Sequence, residues 1–158
     1  MDMIRRSLLK GAGSTGVLAA ALTTGVLKPT AVWAAEEWNR AAFEAKDLSV
    51  AIKAIGANAT ADSKDLLLKA PDIAENGAVV PVEVVSNIPN TISIAVLVDK
   101  NPFPLSAAFD FANGGGAEIS VRLKVAQTSN VKAVAKTADG KYFAVQKEVK
   151  VTVGGCGG

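Results

Sequence analysis

The spacing of apolar positions along the chain changes once, at Gly77. Before it they recur with a period of about 3.6, and after it with a period of two. Between Glu36 and Ile55, the residues Trp38, Ala41, Ala42, Ala45, Leu48, Ile52 and Ile55 form a helical stripe that a break near Asp47 would interrupt and Gly56 would stop. Residues 62–69, ahead of Pro71, read as a second short helix. Beyond Gly77 the alternation predicts strands over 79–87 and 91–99, the latter with Ile92, Ile94, Val96 and Val98 on one face. A strand follows over 106–112, with Ala107, Phe109 and Phe111 in phase. Over 117–127, Ile119, Val121, Leu123 and Val125 face one way and Ser120, Arg122 and Lys124 the other. Between the last two, the "NGGGAE" run at 113–118 is followed by alternation rather than by a helix, so it reads as a turn or bulge and not as a phosphate loop.

The final hairpin is the most sharply defined. Segments 131–137 and 141–153 flank Ala138-Asp139-Gly140, whose Asp-Gly pair suits a tight turn with positive φ. In its second strand Phe143, Val145, Val149, Val151 and Val153 share one face, while Tyr142, Gln146, Glu148, Lys150 and Thr152 share the other. Lys147 breaks the phase, which reads as a bulge. Strands at intervals of about ten residues with no helix between them predict an immunoglobulin-like antiparallel β-sandwich with one wet face per sheet, preceded by a helical segment.

The first residues alter the charge picture. "IRRSLLK" at 4–10, with Arg5 and Arg6 paired, has the form of a twin-arginine export signal. The mildly apolar stretch 11–27 is too weak and short for a membrane span, and Val32-Trp33-Ala34 offers a cleavage site. The expected organisation is a signal peptide at 1–34, a helical segment plus sandwich at 35–153, and an arm at 154–158. Such a leader implies the periplasm. Of the 17 basic and 15 acidic residues, four basic and one acidic leave with it, so a formal charge of +2 becomes −1 in the remaining 124 residues. Nothing then points to nucleic acid or a membrane as partner.

The inventory excludes much chemistry. With no histidine, neither a Ser-His-Asp nor a Cys-His nucleophile is available. One cysteine without histidine builds no zinc, copper, haem or iron–sulfur site, and a single thiol forms no internal disulfide. That cysteine, Cys156, sits between Gly154-Gly155 and Gly157-Gly158. Glycines offer nothing to bury a thiol and leave the backbone its widest conformational choice, so the predicted strand ends in a tether that holds sulfur away from the sandwich. A free thiol titrates near 8.5 in model peptides, and no cation adjoins Cys156 in sequence, so activation is expected from the active sites the arm visits.

The "GGCGG" ending, the twin-arginine leader and "APDIAENGAVVPVEV" at 70–84 make the chain similar, over essentially its whole length, to the SoxY family. These are sulfur-carrier subunits of the periplasmic thiosulfate-oxidising Sox system. The resemblance implies that Cys156 covalently carries S-thiosulfonate and persulfide intermediates, with no other cofactor and no catalysis by the chain itself. It implies a heterodimer with a SoxZ-like subunit that lacks its own export signal. It also implies visits to SoxAX-like, SoxB-like and SoxCD-like enzymes, which load thiosulfate, release sulfate and oxidise the remaining sulfur. Other readings remain open at this stage. A ubiquitin-like carrier would use a terminal Gly-Gly carboxylate, although such carriers work in the cytoplasm. An exported β-sandwich could use Cys156 in an intermolecular disulfide. A peroxidase-like thiol would lack both an activating base and a resolving cysteine. A prenylation box would need three residues after Cys156.

Overall fold

Period-two alternation is realised as six long strands, and the computed structural model describes them within residues 39–111 and 116–152. In chain order the elements are α1 (Arg40–Glu44), α2 (Leu48–Ala54), β1 (Ala61–Asp62), β2 (Leu66–Lys69), β3 (Ile73–Ala74), β4 (Val80–Ser86), β5 (Thr91–Val98), β6 (Leu105–Asp110), β7 (Ala117–Leu123), β8 (Ser129–Thr137) and β9 (Tyr142–Val151). One sheet runs β1-β9-β8-β5-β6, with β3 also on β9, and the other runs β2-β4-β7. All long-strand pairings are antiparallel, whereas β1 and β3 lie parallel to β9.

The expected sandwich follows from which faces are apolar. Val80, Val82 and Val84 of β4 and Ile119 and Leu123 of β7 meet Ile94, Val96 and Val98 of β5, Val131, Ala133 and Ala135 of β8, and Val149 of β9. Each large aliphatic side chain buried there contributes about 1.5–3 kcal/mol, so this interior is the main source of stability. Pro81 fits within β4 because β2 stops at its Lys69–Glu83 pairing, which leaves Pro81 a neighbour on one side only.

The expected wet face of the larger sheet is instead covered. Ala95, Leu97, Leu105, Val134 and Ala144 pack against Ala42, Ala45, Ala51 and Ala57 of the helical segment. β5 is therefore buried on both faces from Ile94 to Val98. The helical stripe does break before Asp47, the N-cap of α2, and stops at Gly56, where φ is +82°. Its inward face is built on Ala51 rather than Ala41, which is exposed. Tyr142, expected on the wet face, donates from its hydroxyl to Ile55 O at 3.1 Å and ties α2 to the sheet.

Three further expectations are corrected. Residues 62–69 form the end of β1, a turn and β2 rather than a helix, because Leu66–Lys69 finds a pairing partner in β4 from Ser86 to Glu83 and buries Leu66. Ile92 leaves the common face of Ile94, Val96 and Val98, since the β5–β8 register shifts between Thr91 and Ser93. No bulge occurs at Lys147: the β8–β9 register is continuous from Lys136–Tyr142 to Ser129–Val149. The hairpin turn matches its Asp-Gly signal, with Gly140 at φ +82°. Asp139 there is held down to about 2 by hydrogen bonds from Lys141 and Thr137. Residues 113–115 of the expected 113–118 turn lie outside the described residues, as does Val153, and β7 begins at Ala117. Among the described residues no helix is long and apolar enough to cross a membrane.

Gly56 and Gly140 share one backbone conformation but differ in surroundings. A Cβ on Gly140 would meet nothing within 4 Å, whereas one on Gly56 would meet Tyr142 Oη at 2.7 Å. Gly140→Ala is expected to cost about 1–2 kcal/mol for its left-handed backbone, and Gly56→Ala about 1 kcal/mol more by displacing the Tyr142 hydrogen bond. Urea unfolding of the two variants checks this, and equal losses would contradict the contact.

Candidate functional site

β9 carries the chain toward Cys156, and its end is held along both edges. β8 pairs with it on one side as far as Val149, and beyond that Val151 N donates to Thr128 Oγ1 at 2.9 Å. On the other side, β3 aligns Ile73 with Lys150 and Ala74 with Val151. Lys150 N donates to Asp72 O at 2.9 Å and Thr152 N to Ala74 O at 3.1 Å. Thr152 Oγ1 donates to Glu75 O at 3.3 Å.

A two-residue parallel pairing is weak by itself, and Lys147 reinforces it. β1 meets β9 at Phe143 and Ala144, β3 meets it at Lys150 and Val151, and Lys147 stands in the gap between them. In an unbroken strand its side chain shares the phase of Phe143, Val145 and Val149. The ammonium donates to Ala70 O at 2.6 Å and pairs with Asp72 Oδ1 at 3.0 Å. A polar residue on an apolar face is thus satisfied by the segment that grips the strand's end.

Other loops are tied to the same end of the sandwich. Asn101 accepts from Ala126 N at 2.9 Å and donates to Lys124 O at 2.7 Å. Val125 N donates to Gly77 O at 2.7 Å, and Asp99 N to Asn130 O at 3.1 Å. A cavity of about 320 Å³ lined by Ile88, Asn90, Thr137 and Phe143, among others, belongs to the opposite end, roughly 30 Å away along β9. Among the described residues no group of three His, Cys, Asp or Glu could hold a metal ion.

The sequence-predicted site residues Cys156, Gly154, Gly155, Gly157 and Gly158 lie outside the described residues, as do Arg5 and Arg6. What sequence reasoning missed is the grip on the strand that precedes them: Lys147, Asp72, Thr128 and Thr152. Its one visible signal was the lysine at an apolar-phase position. Cys156 follows Thr152 by four residues, so covalent geometry alone keeps it within about 14 Å of that anchored end.

Comparison with known proteins decides the family. The model of the sulfur oxidation protein SoxY matches residues 52–156. The chain belongs to the SoxY family. The match extends through Cys156. A solved structure from Chlorobium limicola f thiosulfatophilum, the sulfur carrier protein SoxY, is similar at 37% identity and a TM-score of 0.61, covering 68% of this chain and 97% of that one. A superoxide reductase (neelaredoxin) from Ignicoccus hospitalis carrying the T24K substitution shares the fold at 19% identity and a TM-score of 0.50, covering 58% of this chain and 82% of that one. No curated protein matches. In SoxY terms, the family match begins in α2 and takes in the whole sandwich.

Lys147→Met keeps an aliphatic stem and removes the donor. Amide exchange at Lys150 and Thr152 is expected to rise about tenfold as β3 loosens, in line with the loss of one charged hydrogen bond. Unchanged exchange at both amides would show that Lys147 is not what holds β3 on β9.

Proposed function

We propose that this SoxY-family chain is a covalent sulfur carrier in thiosulfate oxidation, with Cys156 as the attachment point on a swinging Gly-Cys arm. The observation that carries the reading is the anchored end of β9: a family match reaching Cys156 leads out of a strand gripped on both edges at Lys150–Thr152. A fixed origin followed by Gly154 and Gly155 lets a thiol travel without moving the body.

The chemistry balances in two steps. Joining the Cys156 thiol to thiosulfate forms one S–S bond, releases a proton and gives two electrons to the loading enzyme, a role assigned to a SoxAX-like haem protein. Water then cleaves the terminal S–S bond of Cys–S–S–SO₃⁻ at a SoxB-like enzyme, which leaves the persulfide and releases sulfate. A SoxCD-like dehydrogenase acts on the persulfide sulfur. The chain contributes attachment and presentation, and the enzymes contribute the catalysis. The Arg5-Arg6 leader supports export to the periplasm. A SoxZ-like subunit without a signal would cross already bound, because the twin-arginine route exports folded proteins.

Intact-mass measurement of the exported protein after incubation with thiosulfate and the loading enzyme tests this. Thiosulfate and sulfane adducts on Cys156 are expected, and Cys156→Ser should abolish them while changing stability by less than about 1 kcal/mol. Modification of the Gly158 carboxylate instead would establish the ubiquitin-like reading, and a mass doubled through Cys156 would establish the disulfide reading. Either result would replace the proposal.

A further inference from the structure

The two sheets are unequal, and the smaller one stops a strand short. β2 lies against β9 and β7 against β5, which places β4 over β8. β6, the outermost strand of the larger sheet, then has no strand facing it among the described residues. Ala107, Phe109 and Phe111 on its inward side are only partly buried, as is Val121 on the neighbouring strand β7. The sandwich therefore has an open seat beside β7, one strand spacing or about 4.8 Å wide, for a further strand.

One wall of that seat is a row of backbone groups. Asn87 N donates to Asp65 O at 2.8 Å, so the odd-numbered residues of β4 direct their backbone polar groups toward β2 and the even-numbered ones toward β7. The β4–β7 register then turns Ala117, Ile119, Val121 and Leu123 toward β4 and leaves Glu118, Ser120 and Arg122 facing the open side. Glu118 N turns back to Gly116 O at 3.0 Å, which leaves Ser120 N and Arg122 N as the edge donors. The neighbouring edge, β6, is entered through Pro102 and Pro104 and shifts register against β5 between Val96 and Leu97, both of which blunt an edge. β7 has neither device: its register is unbroken and it contains no proline. A bare edge of that kind is a liability unless something covers it.

Charge and space together select the occupant. The side chains of Glu118, Ser120 and Arg122 are all exposed on the outer face. An antiparallel strand that matches them carries a base opposite Glu118, an acid opposite Arg122, and apolar residues opposite Ile119 and Val121 that close over Phe109 and Phe111. The β7 of a second copy has that pattern about Ser120, but seating it here would drive its own β5 into the place of β6. The occupant is thus a strand with no second sheet beneath it. An apolar seat with an unpaired edge suits a permanent subunit rather than enzymes that come and go. We infer that a terminal or overhanging strand of the stably bound subunit proposed above pairs with β7 and becomes the fourth strand of the smaller sheet, over β6. The inference rests on that reading of the partner.

The test compares amide exchange in the mature chain alone and in its complex with the SoxZ-like subunit. Exchange at Ser120 and Arg122 should slow by about tenfold or more in the complex. Ser120→Pro removes one edge donor while leaving the ladder to β4 whole, and should weaken subunit binding about tenfold, whereas Ser120→Thr should bind as wild type. Exchanging the charges, Glu118→Arg with Arg122→Glu, should weaken binding by a similar factor without moving the thermal midpoint, because both side chains are exposed. Should the proline variant fail to fold, the charge exchange and the amide measurement still decide. A complex in which Ser120 and Arg122 exchange as they do in the free chain would overturn the inference. So would a complex indifferent to both variants, or a homodimer of this chain that protects the same two amides. If no such subunit binds the wild-type chain, the partner reading itself fails, which separates the two failures.

Discussion

The pairing of β9 along both of its edges is the constraint on which the rest of the molecule depends. Ten residues long, it is laddered to β8 on one side and met by β1 and β3 on the other. It gives Val149 to the inter-sheet core and Ala144 and Tyr142 to the helix-covered face. A strand committed in so many directions cannot shift its register without moving core residues to the wrong face. Its end is therefore a fixed point in the body, and whatever follows Thr152 starts from there.

That rigidity gives the glycines their purpose on the carrier reading. A carrier needs a body that holds its origin still and a short segment that does not, and the chain changes from β-branched valine to glycine within a few residues of Thr152. The same division explains why chemistry is sparse in the described sandwich. Its polar groups go into hydrogen bonds that secure loops, as with Asn101, Thr128 and Lys147.

The strands were readable because alternation in β4, β5, β7, β8 and β9 records which face meets the other sheet, and that face is the larger part of the core. What failed depended on contacts that no local window contains. Residues 66–69 resemble a helix turn until β4 offers an edge. The outer face of the larger sheet reads as wet because the alanines that cover it are small and the stripe carrying them is short. Lys147 reads as a phase error, although its phase is regular and its partners, Ala70 O and Asp72, lie more than seventy residues earlier in the chain. The candidate thiol was legible from composition alone, whereas the anchor beneath it needed the tertiary pairing of β3 with β9.

Deleting Gly154 and Gly155 tests the central claim, a fixed origin with a reach set by chain length, most directly. The deletion withdraws the thiol by about 7 Å without altering Cys156 or the sandwich. Alkylation of Cys156 by a small reagent should stay at the wild-type rate while loading by the thiosulfate-conjugating enzyme collapses. Loading that survives the deletion at the wild-type rate would contradict the account, because the reach from Thr152 would then not matter.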